Sequence, residues 1–183
     1  LALQGDFVEH INMLYKLGVD ASEIRLSSQL DSVDGLIIPG GESTTIVQLM
    51  DNFGLTEQIK SLIGNGLPVW GTCAGMILLS SNLEMGNLFS LNIMDIDVDR
   101  NHWGRQINSF LIDVEVAGFT KSFKAYFIRA PKVSRVGGNV ECISYFKDIP
   151  VLLKQGKHLA SSFHPEISGD PRIHEYYTNL VYS

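Results

Sequence analysis

The chain has 183 residues, 45% hydrophobic and 19% charged, with a formal net charge of −6, which is enough apolar content for one well-buried domain and too little chain for two ordinary ones. The acidic balance and the absence of any basic run argue against nucleic acid or an anionic membrane as partner. Two cysteines, Cys73 and Cys142, make neither a disulfide framework nor a zinc spacing, and no stretch reads as a membrane span or signal, so a soluble enzyme of the reducing cytoplasm is expected.

Leu1-Ala2-Leu3 reads as the tail of a buried strand ended by Gln4-Gly5, and because Leu1 falls mid-strand the first residues of that strand are expected to precede the numbering. Asp6 has the character of an N-cap with Glu9 three residues on; Phe7, Ile11 and Leu14 supply a helical apolar face, and Gly18 closes the helix. A short strand is expected over 24–26 and a stronger one over 33–38, stopped by Pro39-Gly40-Gly41. Ser43, Thr44 or Thr45 then caps a helix whose buried side is Ile46, Val47, Leu49 and Met50. Another helix spans 55–63, and Asn65-Gly66 turns the chain into the apolar run Leu67, Val69, Trp70.

This alternation predicts a parallel sheet with helices on both faces and right-handed crossovers. Sites in such sheets form at the C-terminal ends of strands, where Gln4-Gly5, Gly40-Gly41-Glu42 and Cys73 fall. The second half is strand-like over 93–98, 107–116, 124–128, 140–146, 151–154 and 159–163, with little helix between. Antiparallel strands extending or folding over the sheet are expected there. Asp170-Pro171 reads as N-cap and first residue of a last helix carrying Ile173, Tyr176, Tyr177 and Leu180. The predicted architecture is a single α/β domain, a three-layer sandwich with a largely parallel central sheet flanked by helices, plus the antiparallel strands.

The most informative stretch is Gly71-Thr72-Cys73-Ala74-Gly75, between an apolar strand and the apolar run Met76-Ile77-Leu78-Leu79. Glycines two before and two after allow a sharp strand-to-helix turn that lifts Cys73 off the sheet edge. A helix starting at Ala74 would aim its N-terminus at the sulfur and favour the thiolate, which is the nucleophile. Free cysteine is more often a small buried hydrophobe; the paired glycines disfavour that reading for Cys73, whereas Cys142, in Val140-Glu141-Cys142-Ile143, is taken as core.

A nucleophilic cysteine needs a base and the base an orienting group. His164 ends an apolar strand and is followed by Pro165-Glu166. In an extended segment residues two apart project to one side, so Glu166 can hold the His164 imidazole while its other nitrogen faces the thiol. An oxyanion hole is expected from the N–H of Ala74 and a backbone N–H of the Gly40-Gly41 loop, whose paired glycines let the peptide turn freely. His10, His102, His158 and His174, and the tyrosines Tyr176, Tyr177 and Tyr182, are read as packing residues, although His10 on the first helix could touch a partner.

Gly71-Thr72-Cys73-Ala74-Gly75, Pro39-Gly40-Gly41-Glu42-Ser43-Thr44-Thr45 and Phe163-His164-Pro165-Glu166 together resemble a class I (triad) glutamine amidotransferase. More narrowly, Leu3-Gln4-Gly5, the Gly-Gly-Glu-Ser-Thr-Thr loop, Asp99-Arg100-Asn101, Gly104-Arg105-Gln106 and Phe127-Ile128-Arg129-Ala130-Pro131 are similar to glutaminase subunits of pyridoxal 5'-phosphate synthase, nearly end to end. The resemblance implies that Cys73, His164 and Glu166 hydrolyse L-glutamine to glutamate and ammonia, with Gly41, Glu42, Ser43, Arg100, Ile128 and Arg129 at glutamine-binding positions. It implies a synthase subunit as partner in a hetero-oligomer and no cofactor or metal in this chain. An Arg suits the substrate carboxylate and Glu42 its ammonium. Asp99 stands where such chains often have Glu, and His102-Trp103 varies a loop. Two alternatives remain at this point: a cysteine hydrolase or peptidase of related fold, and a catalytically silent regulatory subunit.

Overall fold

The computed structural model describes residues 1–83, 89–100 and 109–183, and within them the β–α alternation of the first half forms a parallel core. In order come α1 (Phe7–Lys16), β1 (Leu36–Ile38), α2 (Ser43–Asn52), α3 (Leu55–Gly64), β2 (Val69–Thr72) and α4 (Ala74–Leu79). β3 (Ser80–Leu83), β4 (Met94–Asp99), β5 (Ser109–Val114), β6 (Phe123–Ile128), β7 (Lys132–Val136), β8 (Glu141–Phe146), β9 (Ile149–Gln155) and β10 (His158–Ser161) follow, then α5 (Arg172–Tyr182).

The central sheet has the order β1-β2-β10-β9-β8. β2 pairs in parallel with both β1 and β10, whereas β9 runs antiparallel to β10 and to β8. The sheet is therefore mixed rather than largely parallel, for a reason of chain length. Only Lys147 and Asp148 separate β8 from β9, and only Gly156 and Lys157 separate β9 from β10; connections that short join antiparallel neighbours alone. A second sheet, β3-β4-β7, and the β5–β6 hairpin complete the strands among the described residues.

Two apolar clusters clamp the central sheet. Neighbouring residues on a strand face opposite ways, so Val69 joins Ile46, Met50, Leu55 and Ile59 on one side, while Trp70 joins Phe123, Phe127, Phe163, Ile173 and Tyr177 on the other. Each fully buried large apolar side chain is worth roughly 1.5–3 kcal/mol relative to exposure, which makes the strand ends of this sheet a stiff platform. Tyr177 also donates its hydroxyl to the carbonyls of Leu36 and Pro68, both at 3.0 Å, fixing α5 against β1 and the entry to β2.

Several expectations need correcting. Leu1–Leu3 and residues 24–26 form no strand: they share one backbone bond, Ala2 N–H to the Ile24 carbonyl at 2.8 Å, too few to make a ladder, and the chain continues into a 3₁₀ turn over Ser27–Ser32. The buried stripe of α1 runs through His10 and Met13, with Phe7, Ile11 and Leu14 only half-buried, because His10 finds polar partners inside the protein. β3 and β7 were not expected; the first is polar in sequence (Ser-Ser-Asn-Leu), and the second carries Arg135, which bonds Asp95 and Asp97 of β4. α5 begins at Arg172, with Pro171 in the cap position and the Asp170 carboxylate accepting the Arg172 N–H at 3.1 Å. The predicted strand over 107–116 is observed as β5 from Ser109, its first residues lying outside the described ones.

Candidate active site

Because β1, β2 and β10 are adjacent and parallel, their C-terminal ends deliver three segments to one edge: Pro39-Gly40-Gly41, Cys73, and Ser162-Phe163-His164. Cys73 sits at φ 48°, ψ −102°, a conformation a non-glycine residue adopts only when its surroundings force it. Its N–H continues the β2–β10 pairing by bonding the Ser161 carbonyl at 2.8 Å. What forces the turn is close packing: a Cβ on Gly75 would collide with the Ile38 carbonyl, so α4 starts in direct contact with β1. Cys73 is buried, with its sulfur 3.7 Å from the Ile128 carbonyl oxygen at the end of β6. α4 is only six residues long, so few aligned peptide dipoles stand behind the sulfur.

The main electrostatic support comes from His164. Its Nδ1–H donates to Glu166 Oε1 at 2.6 Å, with both side chains buried, the length of a charge-assisted bond. The juxtaposition is made by a 3₁₀ turn over Pro165–Ile167 rather than by the extended segment expected from the sequence. With Nδ1 so engaged, Nε2 is the nitrogen left for the sulfur. Burial opposes a charge on His164, but hydrogen bonds with Asp6, Cys73 and Glu166 outweigh it and push its pKa up to about 12. An imidazolium beside the sulfur is the counter-ion a thiolate needs. Burial pushes the Glu166 carboxyl up from its usual value, and the bond from His164 opposes that shift.

Asp6 is the addition that the sequence reading missed. It occupies the cap position of α1 yet makes no capping hydrogen bond; its Oδ2 lies 3.3 Å from His164 Nδ1. Ligand atoms of Asp6, His164 and Glu166 all lie within 4.8 Å of one another, a spacing a metal could use, but the proton held between His164 and Glu166 occupies that position.

The glycine loop is held by side chains and by the turn before α1. Thr72 Oγ1 accepts the Gly40 N–H at 2.9 Å, the Asp6 N–H donates to the Gly40 carbonyl at 3.1 Å, and Gln4 Oε1 accepts the Glu42 N–H at 2.7 Å. A Cβ on Gly40 would strike the His164 ring. The Gly40–Gly41 peptide is trans, so the Gly41 N–H points opposite to the Gly40 carbonyl and away from Asp6. Glu42 Oε1 and Arg100 Nη2 are 3.2 Å apart, bringing two of the predicted substrate residues together. Ser43 is buried, and its hydroxyl has no partner among the described residues. Ile128 is exposed apart from its carbonyl contact, and Arg129 follows at φ 46°. Asn101, His102, Trp103, Gly104, Arg105 and Gln106 lie outside the described residues.

The fold agrees with one class of enzyme. A crystal structure of glutamine amidotransferase superposes on this chain with a TM-score of 0.95 and 44% identity, covering 100% of this chain and 97% of that one. Fold and site together define a glutamine amidotransferase. More narrowly, the model of the SNO glutamine amidotransferase family matches residues 1–183, and the chain belongs to that family. It is 54% identical over 179 residues to the pyridoxal 5'-phosphate synthase subunit PdxT of Thermosipho africanus, covering 98% of this chain and 95% of that protein. The subunit of the same name from Fervidobacterium nodosum is 49% identical, with 98% and 94% covered. Among the described residues no helix is long and apolar enough to cross a membrane.

Proposed function

We propose that the chain is the glutaminase subunit of a pyridoxal 5'-phosphate synthase, hydrolysing L-glutamine through a Cys73-His164-Glu166 triad and supplying the ammonia to a synthase subunit. Cys73 Sγ attacks the side-chain amide carbon, and His164 gives its proton to the departing nitrogen, so ammonia leaves and a thioester remains. Water then attacks the thioester carbon, losing a proton to His164; the carbon–sulfur bond breaks, restoring the Cys73 thiolate beside the His164 imidazolium, and the new carboxyl group sheds its proton to solvent as glutamate leaves. Glu166 keeps the imidazole oriented and stabilises its charged form. The N–H groups of Ala74 and Gly41 receive the oxyanion. Arg100 pairs with the substrate carboxylate, Glu42 and Ser43 take its ammonium end, and backbone groups of Ile128 and Arg129 complete the site.

The observation that carries this reading is the buried 2.6 Å His164–Glu166 bond beside a cysteine held at positive φ. Similarity to subunits named for pyridoxal 5'-phosphate synthase supports the partner. No cofactor is assigned to this chain. The cytoplasm is its proposed compartment. Docking at the Gln4–Asp6 turn would act directly on the oxyanion peptide, since Asp6 holds the Gly40 carbonyl. The test is glutamate release by the purified chain, alone and mixed with its synthase subunit. Release that requires the partner and disappears in Cys73→Ala is expected; no release in either condition would leave the silent-subunit reading standing.

A further inference from the structure

We propose that His10 is a positioning residue for this triad, setting an N–H toward the second oxygen of Glu166 and joining it through Thr72 to the loop that carries the oxyanion peptide; the inference rests on the function proposed above. His10 lies on α1, 3% exposed, and His174 on α5, fully buried. His10 Nδ1 is 2.9 Å from His174 Nε2, and His10 Nε2 is 3.2 Å from Thr72 Oγ1 and 3.5 Å from Glu166 Oε2. Thr72 Oγ1 also accepts the Gly40 N–H. Both rings stand edge-on to Trp70, at 5.4 and 4.8 Å, which fixes their planes.

The proton positions follow from the partners. If His10 carried its proton on Nδ1, its Nε2 lone pair would face the Glu166 carboxylate, and the buried His174 Nδ1–H would have no acceptor, for that atom has no partner among the described residues. With the protons reversed, His174 Nε2–H donates to His10 Nδ1, and His10 Nε2–H donates to Thr72 Oγ1 while facing Glu166 Oε2 3.5 Å away, an oxygen with no hydrogen-bond partner among the described residues. An N–H then faces the carboxylate oxygen in place of a lone pair, and His174 Nδ1 is left an unmet acceptor rather than an unmet donor, while the Thr72 hydroxyl proton has no acceptor among the described residues. Burial, reinforced by His174, the Leu1 amine and His164, keeps His10 neutral, and burial does the same for His174, consistent with a single fixed tautomer for each. The titratable groups facing His10 are thus His174 from α5, His164 and Glu166 from the turn after β10, and the Leu1 amine.

Bonded on Oε1 by His164 and faced on Oε2 by the His10 N–H, the carboxylate is held against the imidazole. Without His10, Glu166 binds a proton more readily, so the acid limb of the rate profile moves to higher pH. His10→Leu in the chain assembled with its synthase subunit is expected to lower kcat at least tenfold, to change KM less than threefold and to shift the acid limb upward. His10→Gln, which keeps a donor, should recover much of the loss. Long-range ¹H–¹⁵N correlation spectra of the wild-type chain, a readout independent of activity and of the folding of any variant, should show His10 protonated on Nε2. A wild-type assembly that releases no glutamate would refute the function and not the tautomer; an Nδ1–H His10, or a folded His10→Leu with kcat within twofold and an unmoved acid limb, would overturn this inference.

Discussion

At the parallel strand ends of the central sheet the turns leaving β1, β2 and β10 are packed so tightly that neither Gly40 nor Gly75 admits a Cβ, whereas on the antiparallel side of the molecule, in the separate β5–β6 hairpin, Gly118 has nothing within 4 Å of the same position. Both sides are anchored by one apolar platform. They differ in what their connections touch: His164, Thr72 and Asp6 close over the first, and solvent over the second. Close packing and the buried His164–Glu166 pair therefore sit at the parallel edge. The antiparallel side contributes mass, and one carbonyl, that of Ile128, to the site.

The sharpest way to break this contrast is at its centre. Glu166→Gln should cut glutamine turnover by roughly 10²- to 10⁴-fold, by analogy with loss of the orienting carboxylate in a triad, with little change in KM. A pure rise in KM would remove Glu166 from the role assigned to it. Next in size is a pair of equal chemical steps in unequal places. Gly40→Ala drives a methyl group into the His164 ring and should lower turnover by about tenfold or more, as small misplacements of reacting groups do. Gly118→Ala, at φ 84° in open space, should cost about 1 kcal/mol of stability and leave turnover within twofold. Equal activity losses from both would erase the distinction between the two sides.

A smaller effect is expected at Asp6. Its carboxylate is 44% exposed, so solvent screens it, and Asp6→Asn should reduce turnover a few-fold while moving the His164 titration, followed by NMR, to lower pH. An unmoved titration would make the 3.3 Å approach incidental.

The smallest effect is on stability. Burial lowers the His174 pKa to about 3, so the unfolded chain takes up a proton near pH 6.5 that the folded chain refuses. Stability is full above that pH and falls as pH drops toward 3, by up to about 1.4 kcal/mol per unit for each such histidine. The upward shift of Glu166 acts in the opposite sense. Comparison with His174→Gln isolates the histidine: the variant should lose less stability between pH 6.5 and 5 in denaturant titrations, and an identical slope would show that His174 does not stay neutral.

Much of the parallel edge was legible because its signals are local. Pro39-Gly40-Gly41 and Gly71-x-Cys73-x-Gly75 announce turns whatever lies around them, and His164-Pro165-Glu166 holds its two partners within three residues. The inward turn of α1 was not legible: a histidine among apolar residues gives no sign of which face it shares, and the face chosen from Phe7, Ile11 and Leu14 is offset from the one that His10 and Met13 bury. Asp6 looked like a cap because its sequence neighbours fit one; its real partner, His164, is 158 positions away. A polar strand such as β3 is stabilised by its pairing with β4 and leaves no alternation to read.

The proposed thioester-forming site around Cys73 is built by the three parallel strand ends. A diazoketone analogue of glutamine, incubated with the chain in the presence of its synthase subunit and followed by peptide mass mapping, tests it directly. A single covalent adduct on Cys73, lost in Cys73→Ala and blocked by excess glutamine, is expected. Labelling of Cys142 instead, or continued glutamate release by Cys73→Ala, would contradict it.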